Sequence, residues 1–203
     1  MTPEWTPLLE ANADPDPLAQ FSRWFAEAAA AVPNPEAMAV ATADVGGHPS
    51  VRMVLLKGWD ADGFVFHTNF DSRKGQELAE NPHAALLFYW EPLGRQVRIE
   101  GPVDRIPERD SDSYFQTRPR GGQIGARASR QSRPIDSREE LDREVKNLES
   151  QFAGREVLRP PWWGGLRVRP RVFEFWQNRV DRLHDRLRYT PVGDRWKIDR
   201  LQP

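Results

Sequence analysis

From Met38 onward the chain is written mostly in short strand-forming runs, and no regular helix separates each pair as a parallel sheet would need. The runs are Met38 to Ala43, Val51 to Lys57, Phe64 to Thr68, Ala84 to Tyr89, Gln96 to Ile106, Leu166 to Val168, Arg171 to Gln177, Arg182 to Tyr189 and Trp196 to Leu201. Turn signals such as Gly46-Gly47 fall between them. Successive strands joined by short turns pair antiparallel, so the pattern predicts an α+β fold built on an antiparallel sheet or barrel, with helices at its periphery.

Four helices are expected around that sheet. Asp16 as cap and Pro17 as first helical residue open one through about Ala31, and Leu18, Phe21, Trp24, Phe25 and Ala28 give it a single apolar stripe. Asp71 or Ser72 caps a short helix ending at Asn81-Pro82, Pro107 starts another to about Thr117, and Ser137 with Glu140 forms a capping box for a helix to about Phe152. The Arg118 to Arg133 stretch reads as a Gly- and Arg-rich loop, and Trp162-Trp163-Gly164-Gly165 as a core plug and turn. Residues 1 to 15 read as a flexible lead before one domain spanning 16 to 203.

The absence of cysteine excludes disulfides, thiolate metal sites and a cysteine nucleophile, and it suits a reducing cytoplasm. No basic, apolar leader and no run of about 18 apolar residues is seen, which predicts a soluble, cytoplasmic protein with no membrane segment. Net charge is only -1, yet Ser113 to Ile135 holds five arginines and no Asp or Glu. A local cationic patch in a near-neutral chain points to a discrete anion site, not to a surface that coats nucleic acid.

Several segments carry candidate chemistry. If Arg182 to Tyr189 is a strand, alternation puts Arg182, His184 and Arg186 on one face beyond Trp176, a receptor for an anion bearing a flat ring. Arg52 to Lys57 is an apolar run with a cation at each end, equally readable as a core strand whose ends reach solvent. Asp71-Ser72-Arg73-Lys74-Gly75 sets a hydroxyl and two cations at a helix start, a phosphate cradle or an ordinary solvated cap. Tyr114 and Arg118 lie one helical turn apart and can converge on one phosphate, and Gln131-Ser132 offers neutral hydrogen-bonding groups, unless that loop is an arm for RNA. The four histidines have no ligand-like spacing, so no metal is expected, and no dinucleotide or Walker fingerprint appears.

In this order the segments resemble the pyridoxamine (pyridoxine) 5'-phosphate oxidase family. The motifs are Asn81-Pro82, Gly94-Arg95-Gln96-Val97, Arg118-Pro119-Arg120, Gln123-Ile124-Gly125-Ala126, Arg130-Gln131-Ser132, Trp163-Gly164-Gly165, Glu174-Phe175-Trp176-Gln177, Arg182 to Arg186 and Trp196 to Leu201. The resemblance implies an FMN-binding split β-barrel, a homodimer with the flavin at the subunit interface, and O2-dependent oxidation of a vitamin B6 phosphate to pyridoxal 5'-phosphate. It implies that Arg52, Met53, Val54 and Leu55 line FMN, with Arg52, Arg73 and Lys74 as ionic anchors and His67, Thr68, Gln96, Gln131, Ser132, Trp176 and Arg186 as further contacts. Lys57, Tyr114, Arg118 and Gly122 then fall at the substrate phosphate, while Arg182 and His184 fall beside the pyridine ring as catalytic residues. Rival readings are a related flavin oxidase acting on an unphosphorylated, phenazine-type ring, and a non-catalytic FMN or pyridoxal phosphate carrier.

The chain departs from the family's usual pattern in four places. Residues 1 to 20 hold neither the Arg nor the Tyr that usually helps cover the active site. Gly122 stands where a serine usually joins the phosphate site, Arg127 where an aromatic is usual, and His67 where a tyrosine is common. Arg127 is expected to compensate for the hydroxyl missing at Gly122.

Overall fold

A computed structural model describes residues 5–203. In chain order it contains α1 (Pro17–Ala31), β1 (Ala37–Ala43), β2 (Pro49–Leu55), β3 (Gly58–Asp60), β4 (Gly63–Asn69), α2 (Arg73–Glu80), β5 (His83–Trp90), β6 (Arg95–Arg105), α3 (Glu108–Thr117), α4 (Arg120–Ala128), α5 (Arg138–Gln151), β7 (Trp163–Val168), β8 (Val172–Gln177), β9 (Asp185–Val192) and β10 (Arg195–Arg200). All strand pairs are antiparallel, in the order β10-β9-β8-β6-β5-β1-β2, with β7 pairing both β6 and β4. No helix among the described residues is long and apolar enough to cross a membrane.

The sheet curls because β6 changes partner along its length. Its first half, Arg95 to Glu100, pairs with β8, and its end, Val103 to Arg105, pairs with β7. Gly101 sits at the switch, where a Cβ would lie 1.8 Å from the Arg169 carbonyl oxygen, so only a residue without a side chain lets the two backbones pass. The circuit closes where the backbone N–H of Lys57, just past β2, donates to the Val65 oxygen of β4 at 2.8 Å. Strands β8, β9 and β10 extend from β6 beside the curled sheet.

The core fills by strand alternation and by the α1 stripe. Met38, Val40, Phe64, Phe66, Leu86, Phe88, Val97, Ile99, Phe173 and Phe175 are fully buried. Phe21 of α1 meets Trp59, Phe64 and Phe88 with ring centroids 4.8 to 5.2 Å apart, two of these pairs edge to face. Asp16 caps this helix by accepting from the Leu18 N–H. A second cluster, Phe115, Ile124, Val157 and Trp163, packs α3 and α4 beneath β7.

Four local expectations change. The Arg118 to Arg133 stretch contains helix α4; its three glycines weaken the helical signal, and burial of Gln123, Ile124 and Ala128 outweighs that deficit. Trp163-Gly164-Gly165 begins a strand where a turn was expected. Arg182 and His184 precede β9 and do not share a strand face with Arg186, because Asp181 and Arg182 take left-handed φ values of 56° and 60° in a 3-10 turn spanning Val180–Arg182. Residues 5 to 15, expected within a flexible lead, are strapped to the sheet: Leu8 is buried, its N–H donates to Asp185, and Arg200 pairs with Glu10 at 2.7 Å. The rest of that lead, residues 1–4, lies outside the described residues.

Gly101→Ala is expected to cost at least about 2 kcal/mol, since backbone and not a flexible side chain stands in the way. A urea midpoint unchanged from the parent chain would show that β6 does not need the close passage.

Candidate active site

A cleft of about 790 Å³ opens between β2, the end of β4, the start of α2, and the α3–α4 region. It brings together fourteen of the residues singled out from sequence: Arg52, Met53, Val54, Leu55 and Lys57 on and after β2; His67, Thr68, Arg73 and Lys74 on β4 and α2; and Tyr114, Arg118, Gly122, Gln131 and Ser132 beyond them. Ser50, Asn69, Ser129 and Trp163 also line it and were not anticipated. Trp163 and Ser129 belonged to stretches that had drawn notice, as did Gly125 and Ala126, which also line the cleft.

One side of the cleft is organised by a single carboxylate. Glu77 of α2 is 5% exposed and accepts from Ser50 Oγ at 2.6 Å, Arg73 Nε at 2.8 Å, Arg52 Nη2 at 3.4 Å and the Thr42 hydroxyl. Arg52 is tied further to Thr42 Oγ1 at 2.6 Å and to the Val40 oxygen at 3.2 Å. Burial pushes the Glu77 carboxyl up, but hydrogen bonds from Ser50, Thr42 and Arg73 and the Arg52 charge outweigh it and hold the group down at about 2. Next to it, burial and then the Arg52 charge bring Lys74 down to about 8 against the pull of Glu77. Lys74 Nζ donates to Gln131 Oε1 at 2.7 Å and to Ser72 Oγ at 3.0 Å, and Ser72 also caps α2 by accepting from the Gly75 N–H. Gly75 lets the helix sit close, because a Cβ there would meet the Phe70 oxygen at 2.1 Å.

The other side is a stack. The His67 ring lies 4.0 Å from Tyr114 and 5.1 Å from Trp163, near parallel to both, and the Arg118 guanidinium sits 4.7 Å from the Trp163 centroid. Burial, then Arg118, then Lys57 bring the His67 imidazole down to about 4. Gly122 faces Arg118: a Cβ there would come within 3.3 Å of Nη2. Arg127 does not take up that role, since it donates to the Leu158 oxygen at 2.7 Å and stacks on Phe152.

Gln96, Trp176, Arg182, His184 and Arg186 do not line this cleft, and all but Arg182 are seen to meet elsewhere. Gln96, Trp176 and Arg186 sit in one register row across β6, β8 and β9. His184 lies 4.5 Å from Trp176, and its Nδ1 accepts from the Arg179 N–H at 3.2 Å. Arg186 pairs with buried Glu174 at 2.7 Å. One chain therefore carries two clusters of candidate residues.

Comparison with known proteins gives these clusters a common context. Residues 25–152 match the pyridoxamine 5'-phosphate oxidase family, and residues 163–203 match the pyridoxine 5'-phosphate oxidase C-terminal dimerisation region. The chain belongs to the pyridoxamine 5'-phosphate oxidase family. Similar relatives include a pyridoxine/pyridoxamine 5'-phosphate oxidase of Rubrobacter xylanophilus, 58% identical over 97% of this chain and 91% of that one. Its counterpart from Bordetella petrii is 54% identical over 98% and 95%. Among solved structures, PhzG from Burkholderia lata 383, in complex with tetrahydrophenazine-1-carboxylic acid, superposes with a TM-score of 0.90 at 35% identity, covering 98% of this chain and 99% of its own. An FMN-binding protein of Nostoc punctiforme shares the fold with a TM-score of 0.72 at 15% identity, over 93% and 98% of the two chains. The curled antiparallel sheet is thus the split barrel expected from sequence.

Removing the shared carboxylate exposes its importance. Glu77→Ala leaves two arginines without their buried partner and is expected to lower stability by about 3 to 5 kcal/mol. Because the folded-state pKa of about 2 lies below the ordinary 4.5, the contribution of Glu77 is complete above pH 4.5 and disappears as pH falls toward 2. Urea unfolding of the parent chain should therefore steepen with acid across that window more than in Glu77→Gln; parallel curves would contradict the account.

Proposed function

We propose that this chain is an FMN-dependent oxidase that converts pyridoxamine 5'-phosphate or pyridoxine 5'-phosphate to pyridoxal 5'-phosphate, with O2 as acceptor and hydrogen peroxide as second product. The observation that carries the reading is two groups of cations in one cleft, Arg52 with Arg73 and Lys74, and Lys57 with Arg118. Two phosphate esters, each near -2 at neutral pH, need two such groups.

The residues present fit a flavin mononucleotide. Arg52, Arg73 and Lys74 converge beside the first turn of α2, where free backbone N–H groups add to the positive field. Among the described residues strand β2 pairs only with β1, so its other edge offers backbone donors and acceptors to the rim of a flat ring. When bound, the flavin supplies a two-electron acceptor that O2 can regenerate. Lys57, Tyr114 and Arg118 hold the substrate phosphate and so fix where its ring lies. Two hydrogens leave the substrate across C4' and its amine nitrogen or hydroxyl oxygen; the amine gives an imine that water hydrolyses to the aldehyde and ammonia, and the alcohol gives the aldehyde directly.

The second cluster enters the site from a second copy of the chain. The match of residues 163–203 to a dimerisation region supports this arrangement, as does an apolar outer face on β1, β2 and β5. Met53, Ala39 and Leu87 stand in one register row there, flanked by Val51 at 68% and Tyr89 at 57% exposure. In a homodimer that face is covered, and Arg182 and His184 of one copy stand over the substrate held by the other, the guanidinium placed to stabilise charge as the C4' bond breaks.

The likeness to PhzG favours a second reading, oxidation of an unphosphorylated ring. Against it stands the Lys57, Tyr114 and Arg118 group, for which a substrate without phosphate has no use. Steady-state oxidation of the two B6 phosphates distinguishes these readings. Lys57→Ala and Arg118→Ala are each expected to raise KM at least about tenfold with kcat much less affected, because phosphate binding is shared by ground and transition states. Unchanged KM in both variants would count against the assignment. Anaerobic mixing of the yellow protein with pyridoxamine 5'-phosphate should bleach the flavin; persistent colour would mark a carrier.

A further inference from the structure

Of six buried side-chain nitrogens without a hydrogen-bond partner among the described residues, three fall at one place in the cleft: Nδ1 and Nε2 of His67 and Nη1 of Arg118. The His67 ring stacks on the Tyr114 face at 4.0 Å and lies near parallel to Trp163 at 5.1 Å, with interplanar angles of 21° and 18°. Such faces attract a cation. The charged or titratable groups facing the ring are Arg118 at the end of α3, Tyr114 on α3 itself, and Lys57 from the segment after β2; β7 contributes Trp163 and Gly165, which carry no charge. The ring is thus built to accept a proton and kept neutral by burial and by two positive neighbours.

We propose that His67 is a phosphate-linked proton acceptor: a dianionic phosphate arriving at Lys57, Tyr114 and Arg118 cancels the two positive charges beside the ring and draws a proton from solvent onto it. This inference rests on the phosphate reading of that triad and adds a pH-dependent component to substrate recognition. Its direction is distinctive. A phosphate ester has its own second ionisation near pH 6, so binding to lysine and arginine alone favours the dianion and releases protons below that pH. Protonation of His67 works the other way: a group whose pKa rises on binding tightens the complex as pH falls.

Calorimetric titration of the FMN-loaded full-length chain with pyridoxal 5'-phosphate at pH 5.5, in two buffers of different ionisation enthalpy, counts the protons exchanged. The parent chain should take up about 0.7 proton more than His67→Phe. With the bound ring returning to about 6, the ratio of variant to parent Kd should grow about tenfold between pH 7 and pH 5. His67→Gln serves as a second variant in case phenylalanine disturbs the stack. Equal proton counts and parallel pH profiles, with pyridoxal 5'-phosphate still bound through Lys57, would overturn the role of His67 and leave the phosphate reading standing. Pyridoxal binding as tightly as its phosphate, with Lys57→Ala unchanged, would overturn both. If neither variant folds, the parent chain decides alone: uptake by His67 offsets release from the phosphate, so near-zero net exchange at pH 5.5 supports the proposal, and net release of about three-quarters of a proton refutes it.

Discussion

Strand β6 belongs to two assemblies at once, and the geometry of the molecule follows from that sharing. Its first half joins β8 in an open extension and its last residues join β7 in the curled sheet, while β5 runs along its other edge from Arg95 to Pro102. A strand that serves two neighbours on one side must let their backbones diverge, and the switch at Gly101 provides the room. Because β7 is thereby turned toward β4, Trp163 arrives beside His67 and Tyr114. Because β8 is turned away, Trp176 and its neighbours are carried to a different surface. The division of the candidate residues into two clusters therefore begins in the sheet.

The cleft shows how a near-neutral protein concentrates positive charge without collapsing it into ion pairs. Many arginines elsewhere are matched one to one with carboxylates, as in Arg120 with Glu149 and Arg169 with Asp104. In the cleft, Glu77 alone serves Arg52 and Arg73, leaving donor capacity on both guanidinium groups. The carboxylate orients them and partly offsets their repulsion, yet it is too buried to compete for a ligand. Stacking does similar work on the other side, where Arg118 rests on Trp163 with one nitrogen unpaired. Both groups are held in place before any anion arrives, which lowers the ordering cost of binding.

Strand periodicity and caps were sufficient to place most of the scaffold. The Asp16, Ser72 and Ser137 caps all form, Ser137 by accepting from the Glu140 N–H. What resisted reading was governed by tertiary contact. Helix α4 carries Gly121, Gly122 and Gly125, a composition that argues for a loop until Ile124 is seen packed with Phe115, Val157 and Trp163. The face proposed for Arg182 failed because two consecutive non-glycine residues adopt left-handed backbone, which alternation cannot foresee. The cations on and after β2 and on α2 were legible through charge at strand ends and a helix start, whereas His67 and Thr68 on β4 came only with the family resemblance. Glu77 was not, since nothing in Gln76-Glu77-Leu78 distinguishes a carboxylate turned inward from an ordinary helical surface residue.

The strap formed by residues 5 to 15 has its own consequence. Asp185, adjacent to His184, accepts from the Leu8 N–H and pairs with Arg200, which also grips Glu10, while the neighbouring Arg179 donates to the Trp5 oxygen. The loop bearing His184 is thus moored by a stretch that is among the farthest from it along the polypeptide. A map of inactivating lesions would place hot positions in that leading stretch as if it held reactive groups, when its part is that of an anchor line.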